Sequence, residues 1–329
     1  MRSLLCLFLL LAPAAARAKA FEFLAFGDMP YCSQNETPCA DEQRLNVLID
    51  RMNAAQPAFS VFVGDTKAGA EHCTDAVVAD RTRRWFARFE HPLIYTPGDN
   101  EWTDCWQDRA GRFDPRERLA LLRREFFPGP ESLGRVTLPL ERQADLDPGR
   151  RDFVENARWT YQGVVFATVH AVGSDNNRPP LQGPQPPGAA QEFPPRDAAN
   201  TVWIEAAFAE AERNRAPALV FLFQADIFFR DRCGFGDYEG HVATRAALLE
   251  GARRYGRPVL LIHGDSHFFL VDLPLRGPDD RTLGNVTRMM VPGAEDIRAV
   301  RVRVDPEADQ PFGFALLGDP ARARGPSCP

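Results

Sequence analysis

The stretch 258-PVLLIHGDSHFF-269 joins an apolar run to a cluster of polar residues. Its apolar residues lead directly into His-Gly-Asp-Ser-His. A short, nearly continuous apolar run is typical of a strand that is buried on both faces. The stretch therefore predicts a buried strand whose end carries histidine and aspartate side chains.

Other runs of the same kind recur along the chain, and helical patterns with apolar residues at i, i+3 and i+4 lie between several of them. Strands that alternate with helices indicate an α/β layered architecture. The runs are 21-FEFLAF-26, 58-AFSVFV-63, 93-LIYT-96, 164-VVFATV-169 and 218-ALVFLF-223, and the helical segments are residues 41–55, 74–90, 197–214 and 239–256.

Three segments do not follow this alternation. Residues 299–306 alternate apolar and charged side chains as an outer strand does, and we expect them to pair with residues 312–317. Residues 105–158 are rich in Arg, Asp and Pro, and we interpret them as an insertion that packs on the core and holds a short helix near 115–127. The proline-rich residues 178–196 predict a long loop.

The N-terminus has the features of an export signal. Arg2 is followed by the apolar residues 4–16 and then by small residues at Ala18 and Ala20. This order is that of a secretory signal peptide, and the apolar run is too short to span a bilayer. We therefore expect a signal peptide over residues 1–20, a single domain over residues 21–329, and a periplasmic or secreted protein.

The net charge of the chain restricts the kinds of molecule that the protein can bind. The formal net charge is −6, and it becomes more negative once Arg2, Arg17 and Lys19 leave with the signal peptide. An acidic surface argues against binding nucleic acid, and it argues against an anionic membrane surface once the signal is cleaved. No protein partner is indicated.

Cysteine usage fits an exported protein. One of the seven cysteines lies in the signal peptide, which leaves an even number, and this favours disulfides. The possible pairings include Cys32 with Cys39, which closes a small loop, and Cys73 with Cys105, which ties two loops together. No Cys-x-x-Cys spacing occurs, so a zinc–thiolate site is not expected.

Polar residues concentrate where the predicted strands end. In α/β sheets, ligands bind outside the carboxyl ends of the strands, so these loops should meet at one rim. Carboxylate, amide and imidazole groups together suit divalent metals such as Mn, Fe or Zn. The loops are 27-GDMPY-31, 64-GDTKAG-69, 98-GDNEW-102, 224-QAD-226 and 263-HGDSH-267.

In this order, the motifs resemble those of the calcineurin-like metallophosphoesterase superfamily, over roughly residues 21–305. More narrowly, GDxPY, GDxK and PGDNEWTDC look like an exported bacterial branch. The resemblance implies a four-layer sandwich of two packed mixed β-sheets flanked by helices. It also implies one or two divalent metal ions (Mn, Fe, Zn or Mg) and hydrolysis of a small phosphoester substrate.

The resemblance assigns metal ligands at matching positions. Asp28 would bind the first metal, Asp65 would bridge both metals, Asn100 would bind the second and His267 the first. A bridging carboxylate holds two cations close together and offsets their repulsion.

The chain departs from the family pattern at several of these positions. Where the family has a histidine two residues after the first aspartate, this chain has Pro30, and Tyr31 beside it is a candidate ligand. Gln224 and Asp265 stand where two further histidine ligands are expected, and Glu101 stands at the catalytic histidine.

Three interpretations follow. In the first, the site is an oxygen-rich metal centre in which Glu101 acts as general acid. In the second, the site is degraded and the protein is a non-catalytic ligand-binding protein on a phosphoesterase scaffold. A hydrolase of a non-phosphate ester is a third possibility.

Lys67 bears on this choice, because it is the one lysine after the signal peptide and lies two residues from Asp65. Its ammonium group either replaces a metal charge, clamps a phosphate oxygen, or lies on the surface. We expect Lys67 to lie in the site as a catalytic residue and to compensate in part for a weakened second metal position. His263 is a further candidate, as a direct ligand or as a core residue that supports Asp265.

Overall fold

The computed structural model describes residues 18–34, 36, 38–229 and 239–319. Within them the chain folds into two mixed sheets. The strands are β1 (Phe21–Phe26), β2 (Ser60–Phe62), β3 (Leu93–Tyr95), β4 (Glu141–Arg142), β5 (Ala157–Tyr161), β6 (Val164–Thr168), β7 (Leu219–Leu222), β8 (Val259–His263), β9 (Leu270–Asp272), β10 (Val286–Met290), β11 (Ala299–Val304) and β12 (Phe312–Leu317).

One sheet has five strands in the order β12-β11-β1-β2-β3, and the other has seven in the order β4-β5-β6-β7-β8-β10-β9. Helices lie on the outer faces of both sheets. Their bounds are Ala40–Ala54, Thr82–Phe86, Pro115–Phe126, Gln143–Leu146, Ala189–Arg213 and Val242–Tyr255, with a π-helical turn at Ala76–Arg81 that leads into the second.

Three buried apolar clusters define four layers, and β1 shows how one strand serves two of them. Phe23 and Ala25 belong to the cluster between the two sheets, whereas Leu24 and Phe26 belong to the cluster beneath the helices of the five-stranded sheet. Successive side chains of a strand point to opposite faces, so a wholly apolar strand can fill both layers. The third cluster packs helix Ala189–Arg213 on the seven-stranded sheet. The predicted two-sheet α/β sandwich is confirmed.

The parallel strands bring the polar loops to one rim. In the five-stranded sheet, β1, β2 and β3 run parallel, and in the seven-stranded sheet β6, β7, β8 and β10 do so. The loops after β1, β2, β3, β7 and β8 are the five polar loops of the sequence. The turn between β11 and β12 lies at the opposite end of the sheet, because Val304 pairs with Phe21 at the start of β1.

Two boundaries differ from the sequence prediction. Strand β11 pairs with β12 as predicted, but it also pairs with β1, so β12 and not β11 is the outer strand. A helix begins at Ala189, inside the segment predicted as a loop, and carries Pro194 and Pro195 within it. The reason is that 189-AAQE-192 has high helix propensity, which the surrounding prolines obscure.

The segment predicted as an insertion contributes to the second sheet. It contains helix Pro115–Phe126 and strand β4, and its last residues open β5, which pairs with β6. The chain between them therefore reaches from the helix layer to the edge of the seven-stranded sheet.

Two disulfides are present among the described residues: Cys32–Cys39 and Cys73–Cys105. Both were among the possible pairings. Cys233, Cys328 and most of the predicted signal peptide lie outside the described residues. None of the helices in the described part of the chain is both long and apolar enough to cross a membrane.

Candidate metal centre

Three predicted ligands meet at the rim. Asp28, Asp65 and His267 each offer one ligand atom, and these atoms all lie within 4.8 Å of one another. Asp28 follows β1, Asp65 follows β2 and His267 follows β8, so the group joins both sheets. Both aspartates are buried, whereas 29% of the His267 side chain is exposed.

The backbone at this group is strained. Asp28, Asp65, Asp265 and His267 all have positive φ, at 53°, 62°, 75° and 64°. For residues other than glycine the left-handed region costs free energy, and such residues concentrate at functional sites. Four of them in one small cluster indicate that the fold sacrifices stability to aim these side chains.

One carboxylate oxygen of Asp28 has partners in the protein, and the other has no hydrogen-bond partner. Its Oδ1 accepts a hydrogen bond from the Asp265 backbone N–H (3.0 Å) and lies 3.5 Å from His267 Nε2. Its Oδ2 is buried and has no hydrogen-bond partner. A Cβ atom at Gly264 would lie 2.1 Å from this oxygen, so only glycine leaves room for the carboxylate. The arrangement leaves a buried carboxylate oxygen available to a cation.

Asp65 lies at the centre of a hydrogen-bonded group with Tyr31 and Asn100. The Tyr31 hydroxyl lies 3.0 Å from Asp65 Oδ2 and 3.0 Å from His267 Nε2. The Asn100 amide Nδ2 donates to Asp65 Oδ2 (2.8 Å) and to the Tyr31 hydroxyl (3.2 Å), and the Asn100 backbone N–H donates to Asp65 Oδ1 (3.2 Å). Tyr31 therefore lies within the cluster, beside the proposed ligands.

Electrostatics disfavour ionisation of these groups in the protein alone. Burial, followed by the charges of Asp99 and Glu101, raises the pKa of Asp65 well above its ordinary value. Burial and the charges of Asp65 and Asp28 also raise the pKa of the Tyr31 hydroxyl. A divalent cation beside these oxygens would favour their ionised forms.

Glu101 lies beneath the cluster, fully buried. Its Oε1 accepts three hydrogen bonds: from the Tyr95 hydroxyl (2.8 Å), the Gly98 N–H (2.8 Å) and the Asp65 N–H (3.1 Å). Its Oε2 has no hydrogen-bond partner. The carboxylate thus joins the loop after β3 to the loop after β2, at the residue that carries the Asp65 side chain.

Lys67 is fully buried, and the surface position considered for it is wrong. Its ammonium group donates to the Ala68 carbonyl oxygen (2.8 Å). Burial lowers its pKa, whereas the nearby charges of Glu101 and Asp65 act in the opposite direction. The lysine therefore places its amino group near the carboxylates of Glu101 and Asp65.

Gln224 and Asp265 lie beside the group of three. The Gln224 Oε1 accepts a hydrogen bond from the Gly173 N–H (2.6 Å), and its Nε2 is buried without a partner. Asp265 Oδ2 accepts a hydrogen bond from the Asp226 N–H (2.9 Å). Each side chain thus uses one oxygen to fix a neighbouring loop.

Asp99, which the sequence prediction did not select, lies in the same region. Asp99 is buried, its Oδ2 accepts a hydrogen bond from the Ser174 hydroxyl (2.9 Å), and its Oδ1 has no hydrogen-bond partner. Burial, Asp104 and Asp265 raise its pKa well above the ordinary value. The available signal was the repeated Gly-Asp pair, since Asp99 follows Gly98 as Asp28 and Asp65 follow their glycines.

His263 lies in the core beside the site. It is fully buried, and its ring stacks on Phe223 with centroids 5.6 Å apart and planes 4° apart. It is not part of the group formed by Asp28, Asp65 and His267. Its position matches the core role that the sequence left open.

Both disulfides border the site. Cys32 follows Tyr31 directly in the chain, and the two sulfur atoms of Cys73–Cys105 each lie 3.6 Å from the Asn100 carbonyl oxygen. The second disulfide therefore holds the Asn100 loop against the loop that follows Asp65.

Comparison with known proteins adds a distant likeness in fold. The crystal structure of phosphopantetheinyl hydrolase (PptH) from Mycobacterium tuberculosis matches with 16% sequence identity and a TM-score of 0.42, over 84% of this chain and 91% of that chain. No family model and no curated protein matches the chain.

Proposed function

We propose that this protein is a metal-dependent hydrolase of phosphoesters that acts outside the cytoplasm. The observation that supports this most strongly is the convergence of Asp28, Asp65 and His267 within 4.8 Å, on strained backbone at the ends of strands from both sheets. The two disulfides support an oxidising compartment, in agreement with the predicted signal peptide.

The residues present fit a divalent ion. Asp28 Oδ2 is a buried oxygen without a partner, and Asp65 and His267 complete a mixed oxygen and nitrogen donor set. Such a set suits Mn, Fe or Zn. What an ion supplies when bound there is Lewis acidity, which polarises a phosphoryl oxygen and lowers the pKa of water.

The other side chains orient this set. Asn100 fixes the Asp65 carboxylate through its backbone and side-chain N–H groups, and the Tyr31 hydroxyl connects Asp65 to His267. Substrate would approach from the side where Tyr31 and His267 are partly exposed. Both residues lie where they can contact a phosphoryl group.

Glu101 and Lys67 act through Asp65 in this proposal. Both are fully buried, and Glu101 Oε1 is occupied by three donors, one of them the Asp65 N–H. We therefore assign them as positioning residues, in place of the catalytic roles that the sequence suggested for both. Glu101 holds the loop that carries Asp65, and Lys67 offsets part of the negative charge of the carboxylates in the site.

One observation favours the alternative of a non-catalytic binding protein. The side chain at the position of the family's general acid, Glu101, is fully buried, so leaving-group protonation would have to come from another group. A protein that binds a metal and an anionic ligand without turnover fits the same geometry.

Metal analysis and a substrate screen separate these possibilities. The purified full chain is stripped with EDTA, reloaded with Mn²⁺, and assayed on p-nitrophenyl phosphate, bis(p-nitrophenyl) phosphate and p-nitrophenyl acetate. The proposal predicts bound Mn²⁺ and turnover of a phosphoester that Asp28→Asn and His267→Gln abolish. Asp309→Asn is the matched control, because Asp309 is exposed in the turn at the far end of the sheet.

Bound Mn²⁺ without turnover on either phosphoester would favour the binding protein. Turnover of p-nitrophenyl acetate alone would favour a hydrolase of a different ester. Phosphoester turnover that persists in EDTA and in both variants would contradict the proposal.

A further inference from the structure

We propose that Arg109 binds the phosphoryl group of the substrate and makes the site favour phosphomonoesters over phosphodiesters. This inference rests on the proposed function, and it adds a residue that recognises the substrate and the class of ester that this residue selects. Arg109 lies in a 3₁₀ turn, Asp108–Ala110, which follows the polar loop after β3.

A phosphoester substrate is anionic and needs a positive charge that it can reach. The carboxylates of Asp28 and Asp65 make the metal centre acidic. The ammonium group of Lys67 is fully buried and donates to the Ala68 carbonyl oxygen. The side chain of Arg109, by contrast, is 59% exposed. Because a guanidinium group stays protonated in proteins, this side chain carries a permanent positive charge.

Gly69 shows how close Arg109 lies to the metal centre. A Cβ atom at Gly69 would lie 2.9 Å from Asn100 Oδ1 and 3.8 Å from Arg109 Nη2. Both atoms therefore border the same small space, which glycine leaves open. The Asn100 amide Nδ2 in turn donates to Asp65 Oδ2 (2.8 Å). The guanidinium group is thus separated from the central carboxylate of the site by one side chain.

The end of the Arg109 guanidinium group is available to an anion. Its Nε donates to Gln107 Oε1 (2.7 Å), whereas its Nη2 lies 3.7 Å from Asp104 Oδ2, which is beyond hydrogen-bond distance. Within the part of the chain that the structure describes, its Nη1 and Nη2 donate no hydrogen bond. Arg112 differs, because its Nε and Nη2 both donate to the Asp108 carboxylate (2.6 and 2.8 Å).

The turn that carries Arg109 is fixed against the loops of the metal centre. Gln34 Nε2 donates to the carbonyl oxygens of Arg109 (3.3 Å) and Ala70 (3.0 Å). The Cys73 N–H donates to the Ala110 carbonyl oxygen (3.0 Å). These hydrogen bonds join the turn to the chain that follows β1 and to the chain that follows β2. The backbone of Arg109 is therefore held at the edge where these segments meet.

The geometry of an arginine side chain determines which esters it favours. Two parallel N–H groups of one guanidinium bind two oxygens of the same phosphate group. A phosphomonoester has three terminal oxygens, so one can face the metal position while two accept hydrogen bonds from Arg109. A phosphodiester has two terminal oxygens and one negative charge, so only one oxygen remains for Arg109. A diester is still a substrate, but Arg109 contributes less to its binding.

Isothermal titration calorimetry with two non-reacting ligands tests the inference without relying on turnover. The Mn²⁺-loaded full chain is titrated with inorganic phosphate and with dimethyl phosphate at about pH 8, well above the second pKa of a phosphate group. Arg109→Met should weaken phosphate binding by about tenfold or more and dimethyl phosphate binding by less than about threefold. Arg109→Lys keeps the charge without the paired N–H groups, so it should restore only part of the phosphate affinity.

Arg112→Met is the matched control, because Arg112 is exposed in the same segment but its N–H groups are occupied by Asp108. This variant should bind both ligands as the wild type does, and thermal melting checks that each variant is folded. With substrates, the ratio of kcat/KM for p-nitrophenyl phosphate to kcat/KM for bis(p-nitrophenyl) phosphate should fall by about tenfold in Arg109→Met, mainly through KM for the monoester.

Three results would overturn the inference: unchanged phosphate affinity in Arg109→Met, an equal loss for phosphate and dimethyl phosphate, or the same loss of phosphate affinity in Arg112→Met. A Mn²⁺-loaded wild type that binds no phosphate would overturn it as well. A chain that binds no Mn²⁺ at all would contradict the proposed function itself, and the inference would fall with it.

Discussion

The hydroxyl of Tyr31 lies 3.0 Å from Nε2 of His267, and this contact links the loop after β1 in one sheet to the loop after β8 in the other. The rings meet edge to face, with centroids 5.2 Å apart and planes 84° apart. The contact closes the site across the junction of the two sheets, so both side chains are fixed relative to Asp65 before anything binds.

Removing this hydroxyl should weaken metal binding. Tyr31→Phe keeps the ring and its edge contact but loses the contacts with Asp65 and His267. Loss of a group that orients a metal ligand typically weakens metal binding by about tenfold or more. We therefore expect calorimetry to show that Mn²⁺ affinity falls by about tenfold. Tyr161→Phe is the control, because Tyr161 lies in β5, at the interface between the two sheets. An unchanged affinity in Tyr31→Phe would show that the hydroxyl takes no part in the site.

Lys67 should act as an internal counter-charge. Lys67→Met removes a buried positive charge near Glu101 and Asp65, which makes the site more negative. We expect the metal-free protein to lose about 1–3 kcal/mol of unfolding free energy and Mn²⁺ to bind about three- to tenfold more tightly. Chemical denaturation and calorimetry measure the two effects.

Lys67→Arg, which keeps the charge, is the control for that electrostatic effect. If Lys67→Met and Lys67→Arg change Mn²⁺ affinity equally, the packing of the side chain and not its charge would be responsible.

The Cys73–Cys105 disulfide should support both stability and the site. It closes a loop with a sequence separation of 32 residues and packs on the Asn100 carbonyl oxygen. The double variant Cys73→Ala, Cys105→Ala should lose about 3–4 kcal/mol of unfolding free energy, because the unfolded chain gains freedom.

Mn²⁺ affinity of that double variant should also fall, because Asn100 holds the Asp65 carboxylate. The double variant Cys32→Ala, Cys39→Ala is the comparison, because it removes a disulfide that closes a shorter loop. Normal Mn²⁺ affinity in a folded Cys73/Cys105 variant would separate the disulfide from the site.

Acid should destabilise the fold in part through His91. Burial lowers the pKa of His91 to about 4, and its Nε2 lies 2.7 Å from the Ser60 hydroxyl. The unfolded state takes up a proton at higher pH than the folded state, so stability is retained above the ordinary histidine pKa of about 6.5 and is lost as pH falls towards 4.

His91→Gln, which cannot take up that proton, tests this directly. Between pH 6.5 and pH 4.5 the wild type should lose more unfolding free energy than the variant, by at most about 1.4 kcal/mol per pH unit. Equal pH slopes in the two proteins would exclude His91 as a contributor.

Sequence alone predicted the layers and most of the rim, because both depend on local pattern. The six apolar runs all form strands, and the polar loops that follow them place Asp28, Asp65 and His267 together. Which strand lies at the edge of the sheet, and where each helix begins, were harder to predict. Strand β11 pairs on both sides, and helix Ala189–Arg213 starts before its two prolines, since tertiary packing decides both features.

The finer features of the site were beyond the sequence for a different reason. Lys67 and Glu101 are buried by contacts between residues far apart in the chain. The same holds for the surroundings of Asp99, which has one oxygen without a partner and one that accepts a hydrogen bond from the Ser174 hydroxyl. Ser174 lies 75 positions from Asp99, and no local pattern connects them.

The most direct test of the central claim is the turnover of bis(p-nitrophenyl) phosphate by the Mn²⁺-loaded full chain and by Asp65→Asn, whose wild-type carboxylate contacts Tyr31 and Asn100 at the centre of the site. We predict turnover that EDTA abolishes and Mn²⁺ restores, and a loss of about a hundredfold or more in Asp65→Asn. Full activity in EDTA, or wild-type activity in Asp65→Asn, would contradict it.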